Sequence, residues 1–339
     1  MKKVSIVCGA TGFIGGHLCQ KLSESEDMLL GIDIKAPSDR CKDLPFDDFL
    51  QLDLRKQKSI DIIKDYLIKH ELRVGCIFQL ASNMGGAEYI FTGENDYVIL
   101  RDNLKINTNI CELYECVVKD DPILFFSSSA CVYNQDLQKN KEKMSSVGLK
   151  EDTVYPAYPD SDYGWEKIIS ERLYSSYQRA NPENAHIVIG RFHNVYGVRH
   201  PVSGDLEPKR QKVIESLVRK VKHGSLVNDT IKVIGDGEQT RSFLHVSDAV
   251  SAVLKLVNVK EKNIIVNIGS TELLSINELI DKIKKTGKIE NINLEYITGE
   301  DAPVGVHHRN SNNEKIKKFI GDWDPLCIDK GIEKMWNVI

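Results

Sequence analysis

The chain has 339 residues, 41% of them apolar and 28% charged. This composition excludes a disordered or fibrous protein and supports a core that needs no disulfide or metal staple. With 45 Lys+Arg against 49 Asp+Glu the formal charge is −4, so a general basic footprint for nucleic acid is excluded.

No apolar stretch approaches the roughly 20 residues of a bilayer span, and glycines and polar residues interrupt the apolar N-terminus. A cytoplasmic protein with neither membrane nor nucleic-acid partner is therefore expected. The cysteines at 8, 19, 41, 76, 111, 116, 131 and 327 form no C-x-x-C pair. They read as free thiols of a reducing compartment, and no metal site is expected.

In chain order, Val4–Cys8 reads as a strand, followed by a glycine turn and a helix from about Gly12 to Leu22. Met28–Ile34 is a second strand, Ile60–His70 a helix, Cys76–Leu80 a third strand, Tyr97–Val118 a long helix and Ile123–Ser128 a fourth strand. Asp162–Arg179 is helical and His186–Phe192 extended. The runs VSIVC, LLGID, CIFQLA, ILFFSS and HIVIGRF have the composition of strands buried on both faces. Their alternation with helices predicts a Rossmann-type, doubly wound parallel α/β sheet. After Gly197 the pattern changes. A helix is expected near Gln211–His223, a short strand at Ile231–Ile234, a helix at Asp248–Val257 that returns to the main domain, strands in IIVNIG and INLEYI, and helices at Ile276–Lys285 and Asn312–Ile320. The expected division is a dinucleotide-binding domain over 1–190, joined by about 231–257, and a smaller C-terminal α/β substrate lobe from 191–230 and 258–339.

Gly9-Ala10-Thr11-Gly12-Phe13-Ile14-Gly15 follows the first strand and opens the first helix. In that context Gly9 permits a tight turn, Gly12 lets amides approach a pyrophosphate, and Gly15 lets helix and strand pack closely. Asp33 ends the second strand, where a carboxylate can accept from a ribose diol and repel a 2′-phosphate, which favours NAD. Asp53, in the next loop, is a candidate to cap the adenine amino group.

Tyr163 and Lys167 stand four apart on one helix face. An ammonium near a phenol lowers its pKa, so the phenol can take a hydroxyl proton while hydride leaves the same carbon. Ser127, Ser128, Ser129 and Cys131 lie at the C-terminal end of a strand, where ligands of open parallel sheets sit. Ser129 is the candidate to share the substrate hydroxyl with Tyr163.

Together with Arg191-Phe192-His193-Asn194-Val195-Tyr196-Gly197, these residues resemble the extended short-chain dehydrogenase/reductases that modify nucleotide sugars. Within that family, LASNMGGAEYI (80–90), SSSACVY (127–133), YGWEK (163–167), GDGEQTRSF (235–243) and HRNSNN (308–313) are most similar to the branch of GDP-sugar 3,5-epimerases. The resemblance implies tightly bound NAD, oxidation of the sugar at C4 to a transient ketone, and return of hydride after epimerisation. It implies Tyr163 as the base for C4, Lys167 as its electrostatic support, Ser129 as hydrogen-bond partner and Cys131 as the base at C3 or C5. Thiols suit that task because nearby cations favour the thiolate. The family's 4,6-dehydratases carry Asp-Glu where this chain has Ala130-Cys131, which argues against dehydration.

Further carry-over places Leu80, Ala81 and Asn103 at the cofactor, and Gly85, Gly86, Asn194, Lys209, Arg241 and Arg309 at a nucleotide-diphosphate sugar, with a GDP-sugar favoured. The two arginines suit its pyrophosphate. His193 reads as structural. The branch's acid lysine aligns with Ser203, with His200 and Lys209 in the same loop, and His307 replaces an arginine. A 4-epimerase or C4 dehydrogenase acting on a related GDP- or UDP-sugar, including a heptose, is the alternative. A homodimer is expected through Tyr97–Val118 and Asp162–Arg179.

Overall fold

The computed structural model describes residues 1–37, 45–198, 212–227, 230–299, 302 and 304–339. Its centre is a seven-stranded sheet. Strands β1 (Lys2–Cys8), β2 (Met28–Asp33), β3 (Asp48–Gln51), β4 (Leu72–Gln79), β5 (Ile123–Ser129), β6 (His186–Phe192) and, later in the chain, Ile264–Ile268 lie in the spatial order 3-2-1-4-5-6 with Ile264–Ile268 outermost. All six pairings are parallel. The order reverses between β1 and β4, which opens a crevice at their C-terminal ends.

The strands are apolar on both faces because helices cover both. Side chains alternate across a strand: Ile6 and Cys8 enter one core with Leu30, Ile32, Ile77 and Phe126, while Val7 enters the other with Phe78, Phe125 and Val188. Helices α1 (Phe13–Leu22), α2 (Gln57–Lys69), the short α3 (Ala87–Phe91), α4 (Asp96–Val117), α5 (Lys141–Ser146) and α6 (Asp162–Ala180) follow in chain order. On one face α2, α4 and α6 bury Ile60, Ile63, Ile106, Ile110 and Tyr174; on the other, α1 buries Leu18 and Leu22.

The smaller lobe is built from β7 (Val195–Tyr196), α7 (Val213–Val227), β8 (Thr230–Ile234), β9 (Thr240–Ser242) and β10 (Leu244–His245). After helix α8 (Val246–Leu256) and β11 (Ile264–Ile268) come β12 (Leu273–Ser275), α9 (Ile276–Gly287), β13 (Asn293–Ile297), β14 (His308–Arg309), α10 (Glu314–Ile320) and α11 (Ile328–Val338). Its core gathers Ile214, Leu217, Val221, Ile231, Val233, Leu279, Ile280, Ile332 and Met335. Helix α9 starts at a capping box: Glu278 N donates to Ser275 Oγ at 3.1 Å, and Ser275 N donates to Glu278 Oε2 at 2.7 Å.

Beyond several short helices and strands that the sequence reading did not anticipate, four differences concern larger elements. Strand β3, with only Phe49 and Leu50 as apolar residues, is a short, half-exposed edge strand without the apolar signature of its neighbours. It makes Leu72–Gln79 the fourth strand rather than the third. Ile264–Ile268, expected in the substrate lobe, pairs with β6 in the main sheet, as its double-sided burial requires. Thr230–Ile234, expected to join the nucleotide domain, instead pairs with β13 in the lobe. Helix α11 has no counterpart in the reading. As expected, α8 returns to the main domain, packing Ala249, Val250 and Val253 into the core beside Leu18.

Two buried polar contacts fix the site end of the sheet. Arg191 on β6 forms a fork with Glu171 of α6, Nε to Oε1 at 2.9 Å and Nη2 to Oε2 at 2.7 Å. Breaking such a buried pair costs about 3–5 kcal/mol, so α6 is held firmly against the sheet. On β11, Asn267 Oδ1 accepts from Tyr133 Oη at 2.6 Å while its Nδ2 donates to Leu149 O at 2.7 Å, which ties the segment after β5 to the sheet.

Candidate active site

The glycine segment leaves β1 with Gly9 at φ +81°, a backbone region that favours glycine. Gly9 N donates to Ile32 O at 2.8 Å, and Gly12 N turns back to Gly9 O at 3.0 Å. A Cβ on Gly9 would lie 2.8 Å from Ala81 N, one on Gly12 2.9 Å from Gly9 O, and one on Gly15 would overlap the same carbonyl. The loop is therefore closed on itself and on the end of β4. Gly12 caps α1 without a side-chain acceptor, and the first turn has no acidic residue. The amides of Phe13, Ile14 and Gly15 thus open a helix N-terminus suited to an anion.

Asp33 receives Thr11 N on Oδ2 at 3.0 Å and Lys35 N on Oδ1 at 3.1 Å. It folds the loop and still has lone pairs for a diol. The cradle fits a dinucleotide pyrophosphate and an adenosine ribose without a 2′-phosphate. Leu80 N donates to Cys8 O at 3.0 Å and Ala81 lies against Gly9, which places both residues beside the glycine loop.

Two expected cofactor contacts also brace the chain itself. Asp53 lies in a fork with Arg55, at 2.8 Å to Nε and 2.9 Å to Nη2, and Arg55 Nη1 reaches Asp102 Oδ2 at 2.8 Å. The Arg55 hydrogen bond holds the Asp53 carboxyl below its ordinary range. Asn103 is fully buried and clasps the backbone of Asn83: Oδ1 accepts from Asn83 N at 2.6 Å, and Nδ2 donates to Asn83 O at 3.1 Å. It holds the loop after β4. In that loop Gly85 makes room for the Tyr89 side chain, 2.5 Å from the position of a Cβ, and Gly86 is the N-cap of α3.

The second cluster forms where β5 meets α6. Ser129 ends β5 and accepts Cys131 N on Oγ at 3.2 Å, which starts a single turn over Ala130–Val132. Gly164, in the first turn of α6, makes room for Cys131 O and Pro159, so the helix N-terminus seats directly on that turn. This contact places Tyr163 beside Ser129 and Cys131.

Lys167 is buried one turn further on. Its Nζ lies 5.4 Å from the Tyr163 ring centroid, 5.0 Å from that of Phe126 and 3.6 Å from Glu166 Oε2. Glu166 is fully buried and accepts from Ser170 Oγ at 2.8 Å, Asn107 Nδ2 at 3.0 Å and Asn103 Nδ2 at 3.3 Å.

This arrangement corrects the expected lowering of the phenol. Burial pushes the Tyr163 hydroxyl well above the ordinary tyrosine range, Cys131 and Glu166 add to the rise, and only the Ser129 hydrogen bond opposes it.

Arg309 and Arg241 are neighbours on paired strands, but their surroundings differ. Arg309, expected at the pyrophosphate, donates from Nε to Gln138 Oε1 at 2.6 Å, from Nη1 to Cys131 Sγ at 3.2 Å and from Nη2 to Asp160 Oδ2 at 3.0 Å. Arg241 donates to the neutral backbone carbonyls of Thr240 at 2.9 Å, His307 at 3.1 Å, Val304 at 3.2 Å and Val306 at 2.5 Å. Burial, reinforced by Arg309, drives its guanidinium down to about 9. A bound anion would relieve that cost.

Asn194, expected in the phosphate region, has φ +39° and donates from Nδ2 to Ser242 O at 2.9 Å, so it joins β7 to the β9–β10 turn. His193 is structural as expected. It is buried beside Asn267 Oδ1 at 3.1 Å, and burial lowers it to about 3. Lys209, Ser203 and His200 lie outside the described residues.

The sequence reading missed Glu166, Asp160 and Gln138. Glu166 carried a signal as the residue beside the lysine in YGWEK, and Asp160 as the residue three before Tyr163. Gln138 carried none, since it comes from a charged stretch read as a solvated loop.

The geometry therefore offers a dinucleotide cradle at the β1/β4 crevice and, beyond it, a phenol, a hydroxyl and a thiol converging at the end of β5. Comparison with known proteins agrees. The chain is 32% identical over 323 residues to GDP-mannose 3,5-epimerase of Arabidopsis thaliana, covering 95% of this chain and 78% of that protein. It is 28% identical to a putative UDP-glucose 4-epimerase of Methanocaldococcus jannaschii, covering 82% of this chain and 81% of that one. Among solved structures, UDP-glucose 4-epimerase of Thermotoga maritima superposes with a TM-score of 0.79 at 22% identity, covering 99% of this chain and 98% of that one. A family model, described as the NAD dependent epimerase/dehydratase family, matches residues 5–269, a span that includes the glycine cradle, the β5 end and the Tyr163/Lys167 helix. With NAD as its cofactor and nucleotide-sugar epimerisation as its chemistry, the chain belongs to the NAD dependent epimerase/dehydratase family.

Proposed function

We propose that the protein epimerises a GDP-hexose at C3, C5 or both, through a ketone formed transiently at C4. The observation that carries this reading is the meeting of Ser129, Tyr163 and Cys131 at one strand end, with Arg309 on the thiol. When bound, the nicotinamide supplies the acceptor and later the donor of hydride at C4. Tyr163 takes the C4 hydroxyl proton as the C4–H bond breaks with its electron pair, while Ser129 orients the oxygen. The ketone acidifies the adjacent C–H bonds. Cys131 sulfur removes one proton and leaves the electron pair in an enolate, and return of a proton to the opposite face inverts the carbon. Asp33 is assigned to the adenosine ribose, and Arg241, whose hydrogen-bond partners among the described residues are all backbone carbonyls, to the substrate pyrophosphate. The GDP preference is supported by 32% identity to GDP-mannose 3,5-epimerases of Arabidopsis thaliana and rice.

The test is incubation of the purified protein with GDP- and UDP-hexoses in deuterated water, read by mass spectrometry and NMR. Deuterium at C3 or C5 of a GDP-hexose is the expected result. Inversion at C4 with no deuterium on carbon would show a 4-epimerase instead.

A homodimer forms part of the same reading. Tyr97 at the start of α4, with Trp165 and Ile169 on α6, expose apolar surface on two helices that pack side by side. We assign this face to a second copy. Sedimentation should give twice the 38.3 kDa protomer mass, and Trp165→Glu with Ile169→Glu should give the protomer.

A further inference from the structure

We infer that Arg309 is a positioning residue for the Cys131 thiol, held in place by Asp160 and Gln138, and that it favours the sulfur's anionic form. This rests on Cys131 being the base of the proposed reaction. The sequence placed Arg309 at the substrate pyrophosphate; the geometry separates the two arginines. Each of the three Arg309 nitrogens donates to a different side chain, and one acceptor is the sulfur itself, at 3.2 Å. Arg241, one strand away, donates only to backbone carbonyls among the described residues. A phosphate is the natural complement of the second guanidinium, and the first already has an anion in Asp160.

The chemistry of the pair follows. A charged donor on sulfur stabilises negative charge there. A guanidinium is never deprotonated at working pH, so Arg309 holds the charge without competing for the substrate proton. Burial works against its charge, but the Cys131 sulfur and the Asp160 carboxylate outweigh it and hold Arg309 above its ordinary range. Asp160 sits three residues before Tyr163, in the segment that leads into α6, and Gln138 comes from the helical turn Gln135–Lys139. The clamp therefore joins β14, the β5 end and the start of α6. Among the described residues, Tyr163, Tyr89 and Arg241 are the other titratable or charged groups around the sulfur.

The test uses no sugar. Iodoacetamide alkylates thiolate sulfur with loss of iodide, and peptide-resolved mass spectrometry reads the rate at each cysteine of the NAD-loaded protein across a pH series. The exposed Cys116 and Cys327 serve as internal references. Arg309→Gln keeps N–H donors but removes the charge. It should slow Cys131 alkylation about tenfold at neutral pH and move the rise of the rate to higher pH, and Arg309→Lys should restore part of the loss. Asp160→Asn keeps an acceptor oxygen for Arg309 and removes a negative charge, so it should speed alkylation. Arg309→Gln with an unchanged pH profile would overturn the inference, as would the glutamine and Asp160→Asn variants shifting in the same direction, the signature of mere loosening. If the Arg309 variants fail to fold, a slower or unchanged rate in Asp160→Asn overturns it alone. Because the readout needs no substrate, missing deuterium exchange with the alkylation pattern intact would reject the proposed reaction and leave the clamp standing.

Discussion

Cys131→Ala is expected to abolish deuterium exchange at sugar carbon while leaving C4 oxidation in place. General-base catalysis contributes about 10²–10⁴-fold, so exchange should fall by at least about 100-fold. Transient reduction of the bound cofactor, followed by its absorbance on mixing with substrate, should persist. The substitution removes one small side chain from a site that is 8% exposed and leaves Arg309 its contacts to Asp160 and Gln138, so the fold should be retained. Cys131→Ser separates geometry from chemistry. The hydroxyl can still accept from Arg309, but it is far too weak an acid to supply an anion near neutral pH, so serine should fail like alanine. Exchange at the wild-type rate in either variant would place the base elsewhere.

Tyr163→Phe removes the earlier step and with it every later one. Both cofactor reduction and exchange should drop about 10²–10⁴-fold, while NAD affinity stays within a few fold, because the ring beside Lys167 is kept. The pH dependence has a definite sign. Burial, with Cys131 and Glu166, pushes the phenol up, so the base form is the minor species at neutral pH. The rate of the first hydride transfer should therefore rise with pH through the neutral and alkaline range, and the phenylalanine variant should lose this slope. Measurement of cofactor reduction in the first turnover across a pH series checks both points. A wild-type rate independent of pH between about 6 and 9 would show that the proton leaves by another route.

Much of the main sheet was legible because its strands are long, apolar and separated by helices, a pattern that survives without tertiary information. Strand β3 was not, since a four-residue edge strand with one face toward solvent has no continuous apolar run. Ile264–Ile268 was legible as a strand but not as part of the main sheet. Its composition resembles that of β6, yet only pairing shows which sheet it joins. In the site, Gly9, Gly12, Gly15, Asp33, Ser129, Tyr163 and Lys167 could be named from local spacing, because each is set by the strand or helix it stands on.

The sequence by itself determined the strand-glycine-helix cradle, the acidic strand end, the Tyr-x-x-x-Lys helix and the serine and cysteine beyond β5, since these depend on neighbours within one or two elements. Tertiary structure alone decided the partners of the charged side chains. Arg309 meets Cys131 only because β14 returns to the end of β5; Asp53 is taken by Arg55, which also reaches Asp102 on α4; Lys167 faces Glu166, and burial raises Tyr163. Long side chains find their acceptors by distance in space, and desolvation depends on everything packed around a group, so neither can be read along the chain.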